Sequence, residues 1–126
     1  MASEAMGGIR GRQILLVEDE YVIAADLASW LEDQGVEVLG PAASVDDALA
    51  LLEADIPPDA AVLDINLGHE QVFPVADALQ AARVPFVFMS GYDARLIPGH
   101  YGDVPRCTKP LDRTRLLHAL AEALKE

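Results

Sequence analysis

The sequence predicts an α/β domain in which five parallel strands alternate with helices that cover both faces of the sheet. Three observations predict it. Gln13–Val17, Asp59–Leu63 and Pro85–Met89 are short, continuous apolar runs, the pattern of strands buried on both faces. Between these runs apolar residues recur at helical spacing. A chain of 126 residues is long enough for one core of this kind and leaves no room for a second domain.

Taken in order, Met1 to Arg12 is rich in Gly and small residues and reads as a frayed, disordered lead-in to a domain spanning residues 13–126. Gln13-Ile14-Leu15-Leu16-Val17 is the first strand, and it ends in Glu18-Asp19-Glu20. A helix follows at once, with Ile23, Leu27, Trp30 and Leu31 on its apolar face, until Gly35 stops it. Val36 to Gly40 alternates like an edge strand, and Ser44, with Asp46 and Asp47, opens a second helix through about Ala54. Pro57-Pro58 breaks the chain before the central strand, Asp59 to Asp64. Leu67-Gly68-His69-Glu70 reads as a loop, with His69 solvated, and Pro74 fits only the first turn of the helix carrying Val75, Leu79 and Ala82.

Pro85 to Met89 is the fourth strand and runs into Ser90-Gly91-Tyr92. Between Gly91 and Pro105 there is little periodicity, so only a short, mobile fourth helix near Asp93–Ile97 is expected. Val104 to Thr108 is a poor strand that leads to Lys109-Pro110. Asp112 then caps a last helix whose apolar face is Leu116, Leu117, Leu120 and Leu124. Strand order 2-1-3-4-5, the flavodoxin-like order, is the natural small version of such a sheet.

Composition narrows the function. The formal net charge of −12 and the pI near 4.4 argue against nucleic acid or an anionic membrane as partner. Residues 1–63 hold 13 acidic and 2 basic side chains, against 8 and 7 in residues 64–126, so the first half cannot supply a basic face. Cys107, the one cysteine, excludes an internal disulfide, fits a reducing cytoplasm and reads as a small apolar strand residue. No apolar run approaches the length of a membrane span, and the first residues lack the apolar core of a signal peptide.

The chemistry-bearing residues share one edge of this sheet. Glu18 and Asp19 follow strand one, Asp64 ends strand three, Ser90 follows strand four and Lys109 follows strand five. Carboxylates held together raise one another's pKa unless a cation joins them, and Mg²⁺ suits an all-oxygen site that keeps waters. A carboxylate with Mg²⁺, a lysine and a hydroxyl is equipment for making and breaking an aspartyl phosphate. His69 has no companion at transition-metal spacing, and no Gly-x-Ser-x-Gly turn surrounds Ser90.

With Glu18-Asp19, Asp64, Ser90 and Lys109-Pro110 at these strand ends, the chain from Gln13 to Lys125 resembles the receiver domain of bacterial two-component response regulators. The resemblance implies that Asp64 is the phosphoacceptor. Asp19 and Glu18 would hold Mg²⁺ with Asp64 and the backbone carbonyl of Asn66. Ser90 and the Gly91 N–H would bond the phosphoryl group, Lys109 would pair with it, and the Lys109–Pro110 peptide would be cis. Family members commonly carry an aromatic three residues before the lysine; here that position is Arg106, so the usual aromatic switch is not implied. Phe88-Met89-Ser90-Gly91-Tyr92, Asp64-Ile65-Asn66-Leu67-Gly68 and Pro74-Val75-Ala76-Asp77-Ala78-Leu79 resemble a Phe-Ala-Thr-Gly-Tyr subgroup found in single-domain regulators and general-stress phosphorelays. Asn66 and Tyr92 would then tune the phosphoryl lifetime.

The implied function is a stand-alone, cytoplasmic receiver that takes a phosphoryl group from a sensor histidine kinase or phosphotransfer protein and signals to a downstream protein. It would catalyse only its own phosphorylation and dephosphorylation. Two alternatives remain: an interaction module that works without phosphorylation, and a fragment of a larger regulator. An aspartyl-intermediate phosphatase would want an acid where Asn66 stands, and a flavin phosphate would meet three acids after strand one.

Overall fold

The computed structural model describes residues 8–54, 56–91 and 97–125. Five parallel strands form the central sheet: β1 (Gln13–Val17), β2 (Glu37–Ala42), β3 (Ala60–Asp64), β6 (Phe86–Ser90) and β7 (Arg106–Thr108), in the order β2-β1-β3-β6-β7. This is the order 2-1-3-4-5 with two short strands counted between the third and the fourth. Those are β4 (Asn66–Leu67) and β5 (Glu70–Gln71), paired antiparallel as Asn66 with Gln71 and Leu67 with Glu70. The segment expected as a loop is therefore a hairpin. Gly68, at φ +73°, takes the first turn position, which suits a residue without a Cβ.

Among the described residues, four α-helices cover the sheet: α1 (Tyr21–Asp33), α2 (Val45–Leu52), α3 (Phe73–Ala81) and α4 (Arg113–Ala123). Strand alternation sorts the core into two layers. Ile14, Leu16, Val62, Val87 and Met89 face Leu27 and Leu31 of α1 and Leu116 and Leu120 of α4. Leu15, Val17, Leu63, Phe86 and Phe88 face Val45 and Ala48 of α2 and Val75 and Leu79 of α3. β3 is buried along its whole length, as its apolar run requires.

Local chemistry sets the helix ends. The Ser44 hydroxyl accepts from the Asp47 N–H at 3.1 Å, and the Asp112 carboxylate accepts from the N–H groups of Thr114 and Arg115 at 3.0 and 3.2 Å. Gly35 ends α1 at φ +85°, where a Cβ would also lie 2.9 Å from the Arg10 side chain.

Three further expectations need correction. The lead-in is not frayed as far as Arg12: Ile9 is fully buried against the α1/α4 layer, and the Gly11 N–H donates to the Gly35 carbonyl at 2.7 Å. Residues 1–7 lie outside the described residues. Ile23, expected on the apolar face of α1, is exposed, because Ala24, Leu27 and Leu31 complete that stripe without it. Ala82, expected on the inner face of α3, is exposed beyond its end, and Ala76 fills that face. In the stretch before Pro105, where little periodicity could be read, Tyr101, in a 3₁₀ turn at Gly99–Tyr101, is 1% exposed and belongs to the core. The helical turn expected near Asp93–Ile97 falls largely on residues 92–96, outside the described residues.

Candidate functional site

Because β1 and β3 are parallel neighbours in register, with Val17 opposite Leu63, Glu18 and Asp64 leave the sheet side by side. The Glu18 N–H donates to the Ala42 carbonyl at the end of β2, at 2.9 Å, which continues the strand pairing and turns its side chain inward. Glu20 is the N-cap of α1, but its side chain makes no capping bond, and no acid lies in the first helical turn. The acidic run therefore does not serve as a helix cap. Oxygens of Glu18, Asp19 and Asp64 instead lie within 4.8 Å of one another, with Glu18 and Asp64 buried.

Lys109 reaches into this cluster from the end of β7. Its Nζ donates to Asp64 Oδ2 at 2.9 Å and to Glu18 Oε1 at 3.4 Å. The Lys109 N–H donates to the Ser90 carbonyl at 2.8 Å, so β6 and β7 are joined where their functional residues emerge. The Lys109–Pro110 and Gly40–Pro41 peptides are both cis. On the other side, the Asn66 N–H donates to Asp64 Oδ1 at 3.3 Å.

Two polar atoms in this pocket are buried and have no hydrogen-bond partner among the described residues: Glu18 Oε2 and Ser90 Oγ. Native interiors rarely leave such groups unpaired, and a polar ligand is one thing that pairs them. Three carboxylates with a free buried oxygen form the all-oxygen donor set that suits Mg²⁺, so the residues fit that ion.

Electrostatics reports the same crowding. Burial and the adjoining Asp64 carboxylate push Glu18 from 4.5 up to about 8, against the pull of Lys109. Burial works against the Lys109 ammonium, but its bonds to Asp64 and Glu18 outweigh that and raise its pKa. Metal-free folded protein thus holds a proton at Glu18 that the unfolded chain releases, across the window from 4.5 to about 8. Where the native state binds more protons, stability falls as pH rises. The metal-free thermal midpoint is accordingly expected to drop between about pH 5 and about pH 8. Glu18→Gln, which removes the titration, should flatten that slope; an unchanged slope would place its origin elsewhere.

Of the other candidate residues, Gly91 follows Ser90 directly and is partly exposed, and Tyr92 lies outside the described residues. Arg106 is exposed on β7 opposite Phe88, away from the cluster. Tyr101 supplies an aromatic ring on that face instead. It stacks on Phe73 at 5.4 Å and meets Phe88 edge-on at 5.5 Å, and its hydroxyl donates to the Asp77 carboxylate of α3. Its phenol pKa is raised by burial and by Asp77. Sequence reasoning missed Tyr101, whose one signal was an aromatic between Gly99 and Gly102. It also missed Glu70, whose carboxylate accepts from the Val45 N–H at 3.0 Å; the signal was a Gly-first two-residue turn flanked by pairable residues.

Comparison with known proteins agrees with this geometry. The response regulator receiver domain family matches residues 14–121. The sensory transduction protein LytT of Bacillus anthracis is 31% identical over 118 residues, 90% of this chain and 48% of LytT. The phyllosphere-induced regulator PhyR of Methylorubrum extorquens is 33% identical over 89 residues, 69% of this chain and 33% of PhyR. The chain thus spans less than half the length of these curated relatives. Among solved structures, SdrG from Sphingomonas melonis Fr1 is 41% identical, with a TM-score of 0.77 over 90% of this chain and 97% of SdrG. PhyR from Brucella abortus is 26% identical, with a TM-score of 0.78 over 98% of this chain and 51% of that one. The sheet order, the acidic pocket and the family match over most of its length converge: this chain belongs to the response regulator receiver domain family.

Proposed function

We propose that the chain is a stand-alone receiver that accepts a phosphoryl group on Asp64 in a Mg²⁺-dependent reaction and passes the signal on through protein contacts. The observation that carries this reading is the Asp64–Lys109 pair beside two buried, unpartnered oxygens, Glu18 Oε2 and Ser90 Oγ. Glu18, Asp19 and Asp64 would hold Mg²⁺, with the Asn66 carbonyl as a further oxygen. The ion would supply positive charge to balance the incoming phosphoryl oxygens.

The chain's own residues do the rest. Lys109 bonds one Asp64 oxygen and keeps it oriented, while the Asn66 N–H fixes the other. Asp64 attacks phosphorus; one P–O bond forms as the bond to the donor breaks, and the leaving group departs with that electron pair. Lys109 and the Ser90 hydroxyl then meet charge on the transferred group. Asn66 and Tyr92 tune how readily water removes it.

Partner binding has a surface beside the pocket. Tyr21 and Val22 are 84% and 76% exposed at the start of α1. Val22 lines a groove of about 430 Å³ together with Ile23, Leu27, Met89, Lys109 and Pro110, and the Asp26–Arg113 ion pair also borders it. An apolar patch next to the reacting carboxylate suits a sensor histidine kinase or phosphotransfer protein that must bring its donor to Asp64. The likeness to SdrG over 97% of that solved chain supports the stand-alone role, and Phe88-Met89-Ser90-Gly91-Tyr92 is the stretch on which we assign the Phe-Ala-Thr-Gly-Tyr subgroup. Two of the matched structures are of the anti-anti-sigma factor PhyR from Bartonella quintana, which supports protein contacts as the output. Among the described residues no helix is long and apolar enough to cross a membrane, and we place the domain in the cytoplasm.

The test is intact-protein mass after incubation with Mg²⁺ and acetyl phosphate. Wild type is expected to gain one phosphoryl group, with no gain in Asp64→Asn, in Asp64→Ala or without the metal. No gain in wild type would favour an interaction module that works without phosphorylation.

A further inference from the structure

A closed circuit of short ties runs around the acidic cluster, and Glu70 closes it. Glu18 is tied to Ala42 through its N–H, at 2.9 Å. Three residues on, Val45 opens α2 and donates its N–H to the Glu70 carboxylate at 3.0 Å. Glu70 pairs with Leu67 across the hairpin, beside the Asn66–Gln71 pair, and the Asn66 N–H donates to Asp64 at 3.3 Å. Lys109 joins Asp64 back to Glu18.

The hairpin needs such a tie. Two residue pairs are too few to hold a hairpin by themselves. Its base is anchored by buried Leu67 and Val72 and by the Val72 N–H bond to the Ile65 carbonyl at 2.9 Å. Asn66, Gly68 and His69 are exposed. Gly68 approaches the site closely, since a Cβ there would lie 3.6 Å from Asp19 Oδ2. Among the described residues, the Glu70–Val45 bond is the one hydrogen bond that fastens this hairpin to α2.

We propose that Glu70 is a positioning residue for the acidic pocket: its bond to the Val45 N–H holds the β4–β5 hairpin where Asn66 meets Asp64 and Gly68 borders Asp19, pre-organising the pocket for a divalent cation. This rests on the functional reading above. The bond matters here, and the charge does not. Asp46 and Asp47 already occupy the first turn of α2, so a further carboxylate is opposed there by like charge. A neutral acceptor of the same shape therefore keeps the tie.

The test is Mg²⁺ binding to the full chain by titration calorimetry, with amide exchange at Val45 and Asn66 in metal-free protein as a second readout. Glu70→Ala is expected to weaken Mg²⁺ binding about three- to tenfold, the weight of one hydrogen bond, and to speed exchange at both amides. Glu70→Gln is expected to restore both. Val45→Pro removes the same N–H from the other side. Proline is tolerated at the first helical position, and Ser44, at φ −144° and ψ 165°, is already extended as the residue before a proline must be. That variant is expected to reproduce the loss, and adding Glu70→Ala to it should weaken binding no further.

Equal Mg²⁺ affinity in wild type and Glu70→Ala would overturn the positioning role, as would losses that add in the double variant or a Glu70→Gln protein that is not restored. Wild type that takes up no Mg²⁺ would reject the functional reading, and the positioning role with it.

Discussion

Lys109→Ala is expected to slow phosphoryl transfer to Asp64 about a hundredfold or more, the usual cost of deleting one donor aimed at developing charge. Lys109 Nζ is 2.9 Å from Asp64 and 3.4 Å from Glu18, and it is the only cation among the described residues that contacts either carboxylate. Without it, two buried carboxyl groups face each other. Glu18, already pushed up to about 8, holds a proton at neutral pH in metal-free protein and so limits the repulsion, and the fold should survive a change that removes the chemistry. The initial rate of mass gain with acetyl phosphate checks this. A variant within about threefold of wild type would mean that Lys109 positions backbone and does not meet the transferred group.

The largest expected effect on stability is at Tyr101. Its ring contacts Phe73, Phe86 and Phe88, and its hydroxyl donates to Asp77 and, at 3.3 Å, to the Phe73 carbonyl. Tyr101→Ala leaves a cavity between β6 and α3, and a loss of about 3–5 kcal/mol is expected, as for other large aromatics cut from a core. Tyr101→Phe keeps the ring and removes only the hydroxyl bonds. Asp77 is more than half exposed and can return to water, so that variant should lose about 1 kcal/mol. Chemical denaturation of the three proteins measures both. Equal losses in the two variants would show that the hydroxyl, and not the ring, carries the contribution.

The same residue shows where the sequence stops being legible. Strands β1, β3 and β6 could be read because each is an apolar run whose burial on two faces leaves no polar alternative, and Ser44 and Asp112 could be read as caps because capping is local. Tyr101 sits in a segment with Pro98, Gly99 and Gly102 and no periodicity. Only tertiary packing against Phe73 and Phe88 makes it a core residue. Ile23 erred in the opposite direction: helical spacing put it on the stripe, yet a narrower stripe suffices for α1 and leaves it beside the exposed Tyr21 and Val22. Ile9 was hidden by the Gly-rich stretch around it.

At the site, the grouping of the residues was legible and their contacts were not. Strand ends in a parallel sheet with this order lie on one edge, so Glu18, Asp19, Asp64, Ser90 and Lys109 could be placed together from topology alone. Spacing could not show that Glu18 is 1% exposed. Nor could it show that Lys109 bridges both acids, or that the segment after Asp64 folds back as a hairpin tied to α2 through Glu70. These depend on contacts between elements far apart in the chain.

The central claim is that Asp64 is the residue that carries the phosphoryl group. Borohydride reduces an acyl phosphate to an alcohol, so a phosphorylated aspartate becomes homoserine and can be located by peptide mass. After Mg²⁺ and acetyl phosphate, followed by borohydride, homoserine is expected at position 64 and intact aspartate at Asp19. Homoserine at Asp19, or none at position 64 in protein that has gained a phosphoryl group, would contradict that claim.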